Sequence, residues 1–89
     1  MTKRYQSVFD AIADTPEEAL NMKLRADLLR EIRTKVEEAG WTQAETARRL
    51  SITQPRVSDL LNGKLSKFSL DALVNMLATL GVSVELRVA

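Results

Sequence analysis

A short polar stretch, TQPRVSD, holds the side chains best suited to directed hydrogen bonding. The amide of Gln54 both donates and accepts, and the guanidinium of Arg56 offers a planar fork of donors. At helical spacing Val57 takes the packing face, so Gln54, Arg56 and Ser58 are left on a face that packing does not need. Residues of these types on such a face indicate a surface that recognises a polar ligand.

The composition opposes enzymatic chemistry. The 89-residue chain contains neither cysteine nor histidine, which excludes disulfides, Cys/His zinc sites and any catalytic triad that uses histidine. An enzyme would depend on carboxylates, lysine or tyrosine, and no motif gathers these residues into a pocket. We therefore expect no catalytic residue, no metal and no cofactor.

The N-terminus and the hydropathy pattern predict a soluble cytoplasmic protein. The first residues, MTKRYQSVFD, lack the apolar run of a signal peptide. No apolar stretch approaches the roughly 20 residues that span a membrane. A chain of 89 residues is typical of one small domain, and a domain of this size can gain stability from oligomerisation.

Positive charge is concentrated in one part of the chain. Residues 41–67 contain five basic and two acidic side chains, a balance of +3, whereas the remainder contains eight basic and ten acidic ones, a balance of −2. The net charge of the whole chain is only +1. A basic region on a nearly neutral protein is compatible with phosphate binding, and a merely solvated surface explains it equally well.

Two short helices with almost no loop between them position the polar stretch. Thr42 and Glu45 form a capping box that begins the first helix, and Thr53 caps the second. Ser51 lies in the turn between them. Residues 42–63 therefore predict a helix-turn-helix unit, in which the second helix enters the DNA major groove by its N-terminal end. The apolar residues that the crossing of the helices requires are Ala47, Val57 and Leu60.

A long apolar pattern precedes this unit. A helix start is signalled by DTPEEAL, and an aliphatic residue then recurs every four residues from Leu20 to Val36. A strict four-residue repeat drifts around a straight helix by roughly 40° per step. A break between the two halves would restore a single buried face, so we predict separate helices at 16–25 and 27–39.

The remaining segments complete a five-helix domain. Gly40 ends the second helix, and Ser69 begins a fifth helix that Gly81 closes. Residues 1–14 form either a short helix or a packed extended arm. The predicted fold is thus an all-α five-helix bundle, with a short C-terminal strand, in which the whole chain is a single domain.

The last residues change period, which predicts that strand. In VSVELRVA apolar residues alternate with polar ones, so residues 82–88 form a strand with one apolar face. Pairing with the same segment of a second chain about a two-fold axis would satisfy its exposed edge. The alternative is pairing within the chain to an extended KRYQSVF. The predicted dimer contacts are Val82, Val84, Leu86 and Val88.

The stretch TQAETARRLSITQPRVSDLLNGK resembles the helix-turn-helix of the XRE family, which includes Cro and the lambda-type phage repressors. Ser51 departs from the glycine that is usual at the turn of that family, which predicts a slightly strained or shifted turn. The residues that carry the resemblance are Gln43, Ala47, Val57, Ser58, Asn62, Gly63 and Lys64.

A longer resemblance links the chain to the small HigA-like antitoxins. It rests on DTPEEALNMKLRADLL, TQPRVSDLLNGK and FSLDALV, in that order. The resemblance implies a ribonuclease toxin of the RelE/HigB type as partner, and repression of the protein's own operon.

Residue types and resemblance together predict contacts with duplex DNA. Gln54 can pair with N6 and N7 of adenine, and Arg56 can read guanine or hold a phosphate. Ser58 and Asp59 are either groove contacts or surface residues, with Asp59 useful if it accepts from cytosine or positions Arg56. Gln43 contacts phosphate or only belongs to a capping turn. The predicted DNA contacts are Gln43, Thr53, Gln54, Arg56, Ser58, Asp59, Lys64 and Lys67.

The sequence therefore predicts a sequence-specific, duplex DNA-binding repressor that acts as a homodimer on a palindromic operator. The resemblance adds the role of antitoxin in a toxin–antitoxin pair. The alternative is a protein-interaction module that keeps the helix-turn-helix scaffold without reading DNA. Salt-dependent DNA binding separates the two, because phosphate contacts release counterions.

Overall fold

The computed structural model describes residues 16–85, whose regular structure consists of four α-helices and one 3₁₀ helix. The prediction of an all-helical fold is confirmed for these residues, whereas the number of helices differs. None of these helices is both long and apolar enough to cross a membrane. The elements are α1 (Pro16–Ala39), α2 (Gln43–Leu50), α3 (Gln54–Leu61), the 3₁₀ helix (Leu65–Lys67) and α4 (Leu70–Thr79).

The predicted break in the first helix is absent, because α1 is continuous. After its first residue α1 contains neither glycine nor proline, so nothing in its backbone favours an early end. The drift of the apolar repeat is accommodated by partial exposure: Leu20 and Leu24 are half-buried, whereas Leu28 is fully buried. The prediction of five helices is wrong because the buried side of one continuous helix can shift around its circumference as its packing partners change along its length.

Three side-chain caps define the starts of α2, α3 and α4. Each Oγ accepts a hydrogen bond from the backbone N–H three residues later, at 3.1 Å for Thr42, 3.3 Å for Thr53 and 3.1 Å for Ser69. Each cap satisfies one of the amide groups that a helix N-terminus leaves without an internal partner. The predicted starts of these helices are therefore confirmed.

Ser51 ends α2 in the left-handed region, with φ 59° and ψ 42°. Within residues 16–85 it is the one residue other than glycine with positive φ. The turn is closed by the N–H of Ile52, which donates to the carbonyl oxygen of Ala47 at 3.0 Å. This conformation costs an L-residue about 1–2 kcal/mol, so the predicted strain at Ser51 is confirmed.

The core lies where α1 packs against α4 and where α2 packs against α3. Val57 and Leu60 of α3 are completely buried, and Ala47 of α2 is buried at the crossing, as predicted. Phe68, which follows the 3₁₀ helix, is 2 % exposed and belongs to the same core. This packing uses one face of α3 and leaves the opposite face at the surface.

The residues after α4 form a helix cap and not a strand. Gly81 has φ 77°, the N–H of Val82 donates to the carbonyl oxygen of Leu77 at 2.9 Å, and the Val82 side chain packs against the core. Residues 82–85 form no strand, so the predicted strand is not supported. The alternation was misleading because Val82 packs against the core in the cap of α4, and residues 16–85 provide no strand with which it could pair.

Two of the four predicted dimer contacts lie within the described residues. Val82 is half-buried against its own chain, and Val84 is 36 % exposed. Leu86 and Val88 lie outside the described residues, as does the segment 1–14 for which a helix or an arm is predicted.

Candidate nucleic-acid interface

The N-terminus of α3 presents Gln54 at the surface. Thr53 caps the helix, and Pro55 occupies the first turn, where a missing N–H removes no internal hydrogen bond. Gln54 is the first residue of α3, and its side chain is exposed. The cap and the proline fix the direction in which the helix begins, so the Gln54 amide stands outside the packed face and is accessible to a ligand.

Ser58 follows one turn later on the same side of α3. Its side chain is half-buried, and its Oγ accepts a hydrogen bond from Nδ2 of Asn62 at 3.4 Å. The hydroxyl proton of Ser58 remains available for donation. Gln54 and Ser58 thus form a polar edge along the first two turns of α3.

The Arg56 side chain contacts two residues at the end of the 3₁₀ helix. Its Nη1 donates to the carbonyl oxygen of Lys67 at 3.0 Å, and its guanidinium lies 4.4 Å from the ring centre of Phe68. A cation–π contact with a buried ring and a charge-assisted hydrogen bond both restrain the side chain. Arg56 therefore ties α3 to the 3₁₀ helix, an arrangement that neither of its predicted DNA contacts included.

A carboxylate and two lysines meet where α3 joins the 3₁₀ helix, and we call Asp59, Lys64 and Lys67 the Asp59 cluster. Oδ1 of Asp59 is 3.5 Å from Nζ of Lys64, and Oδ2 is 3.7 Å from Nζ of Lys67. The Asp59 side chain is 18 % exposed, whereas those of the lysines are 52 % and 54 % exposed. Asp59 thus pairs with the two lysines, whereas the sequence predicted that it would either accept from cytosine or position Arg56.

A second carboxylate holds two cations inside α2, and we call Glu45, Arg48 and Arg49 the Glu45 cluster. Oε2 of Glu45 accepts hydrogen bonds from Nη2 of Arg48 and, at 2.6 Å, from Nε of Arg49. These bonds, first that of Arg48 and then that of Arg49, lower the pKa of Glu45 from 4.5 to about 2. Arg49 also lies over the ring of Trp41, 5.1 Å from its centre.

Apart from Ser58, the predicted contact residues fall into two groups. Gln43 and Gln54 are exposed and open α2 and α3, each directly after a capping threonine. Arg56 and the Asp59 cluster converge instead at the junction of α3 and the 3₁₀ helix. Helix N-termini favour anions, and two exposed lysines add positive charge, so both groups suit a ligand that carries phosphate.

Two residues that organise this surface had no signal in the helical pattern. Phe68 supplies the ring under Arg56. Arg25 of α1 donates from Nη1 to the carbonyl oxygen of Leu65 at 2.9 Å and so anchors the 3₁₀ helix to α1. Forty residues separate Arg25 from Leu65, so no local periodicity could have indicated the contact.

A protein family and a solved structure both match this chain. A family described as a helix-turn-helix domain matches residues 11–89. A solved structure of a protein assigned to the XRE family of transcriptional regulators is 33 % identical, has a TM-score of 0.75 and aligns over 81 % of each chain. The chain belongs to the XRE helix-turn-helix family. Among curated proteins no match is found.

Membership of the XRE family confirms the resemblance that was drawn from the polar stretch and its two short helices. The matched residues include all four α-helices described above. In this XRE-family chain the turn glycine is replaced by Ser51, which nevertheless adopts the left-handed conformation that glycine would favour.

Proposed function

We propose that this XRE-family protein is a sequence-specific, duplex DNA-binding transcriptional repressor that inserts the N-terminus of α3 into the major groove. The observation that carries the proposal is the exposed Gln54 at the first residue of α3, fixed by the Thr53 cap and excluded from packing. A helix-turn-helix presents this end of its second helix to base edges. The family match and the structural likeness both support a DNA-binding regulator.

The residues of the interface take separate roles in this proposal. Gln54 pairs with an adenine edge through both functions of its amide, and Ser58 donates to a neighbouring base. Gln43 and Thr53, at the starts of the two helices, contact backbone phosphates. Lys64 and Lys67 contact phosphates beyond the end of α3. Arg56 acts indirectly, since its bond to the 3₁₀ helix orients the segment that carries Lys67.

Selection from a library of randomised duplexes tests the base-reading role and finds the operator sequence at the same time. The wild-type protein should enrich one sequence, and Gln54→Ala should lose about 1–3 kcal/mol on it and relax the preference at one position. Gln43→Ala is the matched control, because it removes an exposed glutamine from the start of the other helix. That variant should bind every sequence somewhat more weakly and keep the preference unchanged.

Two outcomes would contradict this proposal. An unchanged preference in the Gln54→Ala protein would remove the assignment of Gln54 as the base reader. A wild-type protein that enriched no sequence, and whose DNA binding did not depend on salt, would favour the alternative of a protein-interaction module.

A homodimer belongs to the same proposal. Two copies related by a two-fold axis would present their α3 helices to successive major grooves roughly 34 Å apart, which predicts a palindromic operator. Val84 is the one large apolar residue within residues 16–85 that is clearly exposed, which makes it a candidate contact. Val84→Lys should therefore weaken association and operator binding together. Sedimentation that showed a wild-type monomer at micromolar concentration would contradict the dimer.

The antitoxin role is supported by the resemblance to the small HigA-like proteins. In that role the protein would bind and neutralise a RelE/HigB-type toxin and repress its own operon. Co-purification with a small basic polypeptide encoded in the neighbouring reading frame is the direct test. Deletion of residues 1–14 should abolish neutralisation and spare DNA binding, and intact neutralisation by the shortened protein would exclude a toxin contact in that segment.

A further inference from the structure

The carboxylate of Asp59 pairs with the two lysines that, in the proposed function, contact the DNA backbone. Each of its oxygens faces one ammonium group, Oδ1 facing Lys64 at 3.5 Å and Oδ2 facing Lys67 at 3.7 Å. One carboxylate thus presents two oxygens to two cations, as a backbone phosphate does. Asp59 is itself largely covered, so its position is set by α3, whereas both lysines remain about half exposed.

These ion pairs are loose enough to be exchanged. Their N–O distances exceed the roughly 2.7–2.9 Å of a strong charge-assisted hydrogen bond. Because the two lysine side chains are about half exposed, water screens their charges and pairing costs them freedom, so each pair contributes little net free energy. A phosphate that approaches the end of α3 can therefore replace the carboxylate without the loss of a strong interaction.

We infer that Asp59 is a resident counter-ion that lowers sequence-independent affinity for DNA by occupying Lys64 and Lys67 until a phosphate replaces it. This inference rests on the proposed DNA-binding function. The negative charge also stays within the interface after the exchange, since Asp59 cannot leave α3. A protein that searches DNA for one operator needs weak general affinity, because non-specific sites compete in great excess.

The magnitude follows from the charge that is removed when Asp59 becomes neutral. Removing a unit charge that lies a few ångströms from a phosphate, in a medium close to water in effective dielectric constant, changes the equilibrium constant by about three- to tenfold. The two lysines would also begin as free cations, so more counterions would be displaced from the DNA when they bind.

The test compares Asp59→Asn with wild type on a random-sequence duplex of about 20 base pairs, by fluorescence anisotropy over a range of salt concentrations. Asp59→Asn should bind about three- to tenfold more tightly near 0.1 M salt, with a salt slope steeper by about one. Glu38→Gln is the matched control, because Glu38 is a carboxylate that pairs with Lys35 on α1, outside the helix-turn-helix. It changes net charge equally and should alter affinity by less than about twofold.

A double-mutant cycle shows whether the effect passes through the lysines. In a Lys64→Gln, Lys67→Gln background, Asp59→Asn should gain clearly less than it does in the wild-type background, because the direct repulsion between Asp59 and the phosphate is still removed but no cation is left to release. An equal gain in both backgrounds, or none in the wild-type background, would overturn the inference. Circular dichroism on every variant establishes that the fold is retained. Wild-type protein that bound no duplex would contradict the proposed function itself, whereas normal wild-type binding with an unchanged Asp59→Asn protein would contradict this inference alone.

Discussion

The Glu45 and Asp59 clusters each contain one carboxylate and two cations, but they differ in what brings their members together. The Glu45 cluster lies within α2, where the cations follow the carboxylate by three and four residues and Nε of Arg49 is 2.6 Å from Oε2. The Asp59 cluster joins α3 to the segment that follows it, at N–O distances of 3.5 and 3.7 Å.

The difference distinguishes cations that stay paired with their own carboxylate from cations that can pair with a DNA phosphate instead. Arginines bind a carboxylate through a directional planar group, whereas lysines act as flexible point charges. The Glu45 cluster needs one helix, and its spacing is the one that stabilises isolated helices. The Asp59 cluster needs the 3₁₀ helix, which carries Lys67, to be held beside the end of α3. A phosphate can therefore replace the carboxylate of the second cluster more readily than that of the first.

The largest difference between the two clusters should appear in the free energy of unfolding when the aromatic ring next to each is removed. Phe68, under Arg56, is 2 % exposed, so Phe68→Ala should lower the free energy of unfolding by about 3–5 kcal/mol. Trp41, under Arg49, is half-buried, and Trp41→Ala should lose roughly half as much. Urea denaturation followed by circular dichroism measures both. Equal losses would contradict the view that the second cluster depends on tertiary packing more than the first.

Neutralising each pair of cations should show which pair binds phosphate. Lys64→Gln with Lys67→Gln should weaken binding to any duplex by on the order of tenfold to a hundredfold near 0.1 M salt, and reduce the salt slope by about two. Arg48→Gln with Arg49→Gln removes the same charge, and its effect should stay within about threefold, because both arginines are bound to Glu45. Anisotropy titrations supply both values. A larger loss from the arginine pair would reverse the comparison.

The turn between the two clusters offers a change that affects stability alone. Ser51 has φ 59°, so Ser51→Gly should relieve the left-handed strain and raise the free energy of unfolding by about 0.5–1 kcal/mol. Ser51→Ala is the control, since alanine keeps the strain. Neither variant should change DNA affinity by more than about twofold, because Ser51 is not among the proposed contacts. A stability gain from the alanine variant would show that the strain lies elsewhere.

Of these changes, acid titration should have the smallest effect on folding. It nevertheless tests the ion pairs of the Glu45 cluster, through the pKa of Glu45. The pKa of Glu45 is lowered to about 2 in the folded protein, so its contribution is present above the unfolded value near 4.5 and is lost as the pH falls towards 2. Carbon-detected NMR should find a Glu45 midpoint near 2, and Arg48→Gln should move it towards 4.5. An Arg48→Gln protein with an unchanged midpoint would show that Arg48 is not the main cause.

Predictions that rested on neighbouring residues succeeded. The caps at Thr42, Thr53 and Ser69 act on an N–H three residues away, so residue type and spacing were sufficient to place them. The strained turn at Ser51 followed from a single departure from the family pattern. The exposure of Gln54 followed from helical spacing, because the apolar residues of α3 define the face that must be buried.

Predictions that depended on remote packing failed. The break in α1 was inferred from a drifting repeat, but Leu20 and Leu24 tolerate partial exposure, so no break was needed. The strand was inferred from alternation, but the first valine of that segment packs into the cap of α4. In both cases the apolar residues were identified correctly, but the elements that they pack against were not.

The sequence by itself determined the helix-turn-helix and the residue that its second helix presents, because capping, turn conformation and helical periodicity act over three or four residues. Only the tertiary structure decided the partners of Arg56 and Asp59. Arg56 meets the carbonyl oxygen of Lys67 eleven residues further along, and Asp59 meets the same lysine through its ammonium group. Those partners become neighbours only when Phe68 is buried and Arg25 holds the 3₁₀ helix against α1. Helical spacing in the sequence is enough to pair charges within one helix, as in the Glu45 cluster, but the packed core decides which partners the charged residues of different elements meet.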